Sequence, residues 1–135
     1  MSYPITDIEG IQGDKADMLK SAGIRSTGRL LETARTVKGR KLLAEKTGID
    51  SKQLLFWANV ADRMRIKGVS REYAELLQAA GVDTVRELTH RNPNKLAKAM
   101  AEANEKLKLV RLLPSEKAVA RWIEHAKKLP LMISY

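Results

Sequence analysis

Residues Arg65, Lys67, Gly68, Val69, Ser70 and Arg71 have the types and the order that capture a phosphate. A glycine permits a sharp backbone reversal. A helix beginning just after it presents N–H groups that no intrahelical carbonyl uses, and anions settle there. Cationic side chains, Arg63 among them, flank the turn, and Ser70 adds a hydroxyl. Gly10, Ile11, Gln12 and Gly13 repeat the turn upstream, with Asp7, Glu9, Asp14 and Asp17 around it. Carboxylates suit a helix N-terminus, but they repel a phosphate. The second turn is therefore expected to lead, and the first is the weaker candidate. Lys38, Arg40 and Lys41 form a further basic group at the expected start of a helix. The helix dipole favours acids there, so these three are weaker candidates for an external anion.

The two turns belong to a repeat. Ile8-Glu-Gly10-Ile11 leads through Ala16, Leu19, Ala22, Gly23 and Ile24 to Leu30. Ile66-Lys-Gly68-Val69 leads through Ala74, Leu77, Ala80, Gly81 and Val82 to Leu88, each position 58 further on (66 against 8). Later, Leu54, Trp57 and Ala61 correspond to Val119, Trp122 and Ala126, now 65 apart (122 against 57). The second copy thus carries about seven extra residues, near Asn104–Leu113, and repeats at this period dominate any reading of a fold. Residues 1–64 and 65–135 are taken as the two copies, sharing one compact unit.

Composition bounds the function. The 135 residues carry a net charge of +9 and no cysteine, so disulfides and thiolate metal sites are excluded. The positive charge favours polyanionic partners. Residues 65–135 hold fourteen Lys and Arg against eight Asp and Glu; residues 1–64 hold eleven against eight. Residues 1–7, Met-Ser-Tyr-Pro-Ile-Thr-Asp, show no signal-peptide pattern, and no apolar run reaches membrane-spanning length. A cytoplasmic, membrane-independent protein is expected.

The elements that must position the turns all read as helices. Ala16 and Leu19 lie on a helix that stops at Gly23, and Leu77 lies on one that stops at Gly81. Ser26, Thr36, Asp50, Ser70, Thr84, Asn92 and Ser115 are cap candidates. Asp50 with Gln53 and Thr84 with Glu87 have capping-box spacing, and Pro93 sits at a first helical position. The Asn92 helix is expected to break near Asn104. Trp57 and Trp122 fall on apolar helix faces and read as core anchors. With one Phe, two Trp and three Tyr in the chain, a base-stacking surface is poorly supported.

The pattern apolar-x-Gly-apolar, a short Ala- and Leu-bearing helix, then Gly-apolar resembles the helix-hairpin-helix motif. The chain as a whole is similar to a small bacterial family known as domain of unknown function 4332. The resemblance runs through Ile5–Ile11, Leu42–Ile49, Arg65–Val69, Leu76–Val85, Leu109–Lys117 and Ala126–Pro130. It implies an all-α fold of two fused helix-hairpin-helix repeats with pseudo-two-fold internal symmetry. The resemblance to the hairpin motif, rather than that to the family, implies sequence-independent contact with the DNA backbone. The sequence departs from the motif where a second turn glycine is usual, having Gln12 and Ser70 instead.

Catalysis has no foothold. His90 and His125 fall in different copies with no motif coupling them, and no metal-ligand spacing or nucleotide fingerprint is present. A non-enzymatic DNA-binding protein without cofactor, metal or small-molecule substrate is the leading expectation. Lys106, Lys108 and Arg111 are candidates to extend a phosphate track, whereas Lys127 and Lys128 suit a helix C-terminus. A rival is a protein-docking or scaffold module with degenerate hairpins, using Leu109, Leu112, Leu131, Met132 and Ile133. A third reading is an accessory subunit of a nucleic-acid enzyme.

Overall fold

The structure is a computed structural model describing residues 2–135. The chain is all-α, with eight α-helices and no strand among the described residues. A 3-10 turn, Ile5–Asp7, precedes α1 (Gly13–Ser21), α2 (Thr27–Ala34), α3 (Val37–Thr47) and α4 (Ser51–Arg63). The second half contains α5 (Arg71–Ala79), α6 (Val85–Thr89), α7 (Pro93–Leu107) and α8 (Glu116–Lys128).

Local chemistry sets most helix ends. Ser26, Thr36, Thr84, Asn92 and Ser115 each accept a backbone N–H three residues on, at 2.9–3.1 Å. Each cap satisfies a donor the helix cannot, and losing one costs about 1 kcal/mol. Gly23 and Gly81 end α1 and α5 with φ of +87° and +97°. The next residue in each case, Ile24 or Val82, returns its N–H to the carbonyl of Leu19 or Leu77 at 2.8 and 2.9 Å. This is the bond pattern of a Schellman ending.

Three local expectations need correction. Ser70 occupies the N-cap position of α5, but its hydroxyl makes no capping bond. The Glu87 carboxylate accepts from Asp83 rather than from Thr84, so the expected box is displaced by one residue. Helix α7 continues through Asn104 to Leu107. The Asn104 side chain instead ties down the following loop, accepting from the Val110 amide at 2.9 Å and donating to its carbonyl at 3.0 Å. Both amide groups are satisfied outside the helix backbone, so nothing competes with the helical ladder.

Residue contacts divide the chain into two compact units. The first runs to Asp62 and regains Met132–Tyr135; the second is Arg63–Leu131. In the first, α2 packs on α3, and Ile8, Ile11, Leu19, Leu30, Leu54 and Trp57 are buried. The terminal tail joins this unit through Ser134, whose N–H donates to Arg35, and Tyr135, whose hydroxyl bonds Asn59. In the second, α8 packs on α6 and α7, and α5 on α7, around Val69, Leu77, Leu88, Leu96, Met100 and Trp122.

Each unit seats its turn on its tryptophan. Ile11 donates to the Ile8 carbonyl at 3.1 Å, and Val69 to Ile66 at 3.0 Å. Gly10 and Gly68 carry the reversal with φ of +92° and +91°. A Cβ on Gly10 would lie 3.5 Å from Trp57 Nε1, and one on Gly68 only 3.0 Å from Trp122 Nε1. Gly68→Ala is therefore expected to destabilise the second unit by about 1–3 kcal/mol, from left-handed strain plus forced displacement of the indole. Gly10→Ala should cost less, because its contact is an ordinary one. Denaturant unfolding of both variants checks this order, and equal costs would show that Trp122 yields freely.

Candidate nucleic-acid interface

The second turn brings together part of the basic set read from sequence. Lys67, Gly68, Ser70 and Arg71 are exposed. Val69 is fully buried and its amide is taken by Ile66, so it supports the turn rather than meeting a ligand. The Lys67 amide is also engaged, donating to His125 Nδ1 at 3.0 Å. The N–H groups of the first turn of α5, beginning at Arg71, have no intrahelical acceptor because they precede the first i→i−4 bond. Ser70 stands beside them with its hydroxyl uncommitted to the cap. Arg71 and Lys67 supply charge to this end of α5, and Glu72 opposes them.

Two arginines named with the basic groups turn out to be structural. Arg63, grouped with the second turn by its place in the sequence, is only 1% exposed. Its Nε donates to the Ala74 carbonyl at 3.1 Å and its Nη1 to that of Asp83. Within the second unit it holds its own backbone to α5 and to the loop before α6. Arg40, a candidate for an external anion, is 5% exposed. It donates to the last carbonyl of α2, Ala34, at 2.9 Å and to Ser134 at 2.7 Å. Burial draws this guanidinium below its ordinary value, opposed by Tyr135. A buried guanidinium bonded to carbonyls holds backbone ends together. Lys38 and Lys41, its neighbours in sequence, remain exposed. Arg65 is half-buried and donates to the Pro130 carbonyl at 3.1 Å, which leaves it a smaller part in any external contact.

The first turn has the same backbone and different chemistry. Gly10, Gln12 and Gly13 are exposed and Ile11 is buried. Gly13 has φ +56° with nothing near its Cβ direction, so space is available there. Gly13 takes the place of Arg71 and Glu9 that of Lys67, while Asp14 and Glu72 are matching acids in the first turns of α1 and α5. The Lys15 amine sits 5.5 Å over the Trp57 ring, a cation–π geometry. The matching residue of the second copy, Tyr73, packs its ring on Trp122 with centroids 5.2 Å apart. Both tryptophans are thus covered on the turn side and on the helix side. With exposures of 1% and 4% they are core anchors, as their apolar helix faces predict.

Sequence reasoning overlooked the α8 side of the second turn. A groove of about 660 Å³ is lined by Lys67, Gly68, Arg121, Trp122, His125 and Lys128, among others. Aligning the copies through their tryptophans was the available signal, because it places Arg121 and His125 one residue before and three after Trp122. Lys108 and Arg111 line a different cavity, of about 730 Å³, where Glu72 and Glu105 offset their charge. They form no basic track there. No cluster of three or more potential metal-ligating side chains occurs among the described residues, and none of their helices is long and apolar enough to cross a membrane.

An all-α chain of two units, each closing a glycine turn over a buried tryptophan, is the class that fold and site define. The chain belongs to the family described as Domain of unknown function (DUF4332), whose pattern matches residues 9–129. No solved structure matches it.

Proposed function

We propose that the chain is a non-enzymatic protein that holds the DNA backbone without reading base sequence, through a helix-hairpin-helix contact at the second turn. The observation that carries this reading is the exposed N-terminus of α5. Its free first-turn amides stand with the Ser70 hydroxyl and two exposed cations, Lys67 and Arg71. A phosphate there meets oriented N–H dipoles and positive charge together. The first turn, with Glu9 and Gly13 in the places of Lys67 and Arg71, serves the fold of its own unit.

The test is binding of labelled duplexes by fluorescence anisotropy across a salt series. Affinity should fall linearly on a log–log plot, with a slope of about −0.9 for each phosphate neutralised. Duplexes of unrelated sequence should bind within about threefold of one another, because phosphate contacts carry no base code. Binding that is absent at low salt, or that ignores salt, removes the proposal.

A second reading, protein docking, is favoured by one observation. Leu107, Leu112 and Leu131 of the second unit are 57%, 76% and 66% exposed. Large aliphatic side chains this open are characteristic of contact surfaces when they are contiguous.

A further inference from the structure

We infer that the face of α8 carrying Arg121, His125 and Lys128 is a second phosphate contact of the same unit; this rests on the DNA-backbone reading above. Residues 121, 125 and 128 are spaced i, i+4 and i+7, which puts them on one helix face. They line the groove that Lys67 and Gly68 enter from the turn. Two elements distant in sequence thus deliver Lys67, Arg121 and Lys128 to one concave surface.

The groove's single carboxylate does little to balance them. Glu124 is bonded by Lys127 at 3.1 Å, and Lys127 does not line the groove. The helix dipole accounts for Lys128, which lies in the last turn of α8. It accounts for neither Arg121, which lies mid-helix, nor Lys67, which comes from the turn. Gathering like charges around a groove opposes folding, and an anionic ligand relieves that repulsion.

His125 fits the same role. Its Nδ1 accepts from Lys67, so the neutral ring carries its proton on Nε2. That N–H is a donor for a phosphate oxygen, while Nδ1 holds the turn in place.

The first copy is an internal control. The places of Lys67, Arg121, His125 and Lys128 are taken there by Glu9, Phe56, Val60 and Arg63, by the same two offsets. Glu9 is acidic, Phe56 is 43% exposed and apolar, Val60 is buried, and Arg63 is committed to backbone carbonyls. The common fold does not require a basic groove; only the second unit has one. The ligand it fits is a run of phosphodiester, with one phosphate at the N-terminus of α5 and another against α8.

The experiment is the same duplex titration with the double variant Arg121→Ala, Lys128→Ala. Both residues are exposed, so the fold should be kept, and far-UV circular dichroism checks it. Expected are about tenfold weaker binding at low salt and a salt slope shallower by about two. Lys46→Ala with Lys52→Ala removes the same charge from exposed sites elsewhere and should leave the slope unchanged. If the α8 variant and this control lose affinity equally, net charge explains the loss and the α8 contact is overturned. Wild-type binding and slope in the α8 variant, while Lys67→Glu with Arg71→Glu binds poorly, would overturn the α8 contact alone. A wild-type chain that binds no duplex overturns both the contact and the reading beneath it.

Discussion

Trp57→Ala is expected to destabilise the first unit by about 3–5 kcal/mol, the usual cost of deleting a large buried ring and leaving a cavity. Trp57 is 1% exposed, and the turn is built upon it: Gly10 lies against its indole nitrogen, and the Lys15 amine stands over its ring. Neither neighbour can fill the space. Gly10 has no side chain, and Lys15 would have to bury its charge. The cavity therefore should not collapse, which places the loss toward the upper end. Phe56→Ala, next in the chain but 43% exposed, should cost less than about 1 kcal/mol. Urea unfolding followed by circular dichroism measures both. Similar midpoints for the two variants would show that the tryptophan is not the anchor of its unit. With whole-domain stabilities of about 5–15 kcal/mol, such a loss brings the first unit close to unfolding at 25 °C.

What sequence could show about this molecule divides by the range of the interaction. Gly23 and Gly81, the side-chain caps and the turns at Gly10 and Gly68 were legible because each is satisfied within a few residues. Trp57 and Trp122 were legible as core because the helical period puts them among alanines and aliphatics. Arg40 and Arg63 were not. Each looked like one more cation in a basic stretch, and their partners, Ser134 and Asp83, lie 94 and 20 residues away. Nothing local signals that a guanidinium will be drawn inward by distant carbonyls. Asn104 misled for a similar reason. Its low helix propensity suggested a break, yet tertiary bonds to Val110 give its amide both of its partners. The candidate site was half legible. The turn itself carries Lys67, Ser70 and Arg71 in sequence order, whereas the α8 wall depends on a helix beginning 45 residues beyond Arg71 (116 against 71). His125, read as a surface residue, became part of the site only through its bond to the Lys67 amide.

Lys67→Glu with Arg71→Glu is expected to weaken duplex binding by about two orders of magnitude at low salt. Each reversal deletes an attraction to phosphate and adds a repulsion of similar size, and near a phosphate a single Lys or Arg is worth roughly one unit of salt slope. The fold should survive, since both side chains are exposed and neither forms part of the core. The first turn predicts the opposite sign. Asp14→Lys places a cation at the start of α1, losing a favourable dipole contact of about 0.3–1 kcal/mol; it should leave affinity unchanged or slightly raised. Ser70→Gly separates the backbone's part from that of charge. The Ser70 hydroxyl makes no capping bond, so replacing it should cost only a few tenths of a kcal/mol. The substitution removes bulk beside the α5 amides, and a phosphate should approach them more closely. Affinity is therefore expected to rise about two- to threefold, with little change in salt slope, because the charge count is the same. Anisotropy titrations of the three variants beside the wild type settle the signs. A Ser70→Gly variant that binds worse would mean that the hydroxyl itself contacts the phosphate and that the α5 amides contribute little. Wild-type affinity in the double reversal would exclude the second turn as the contact.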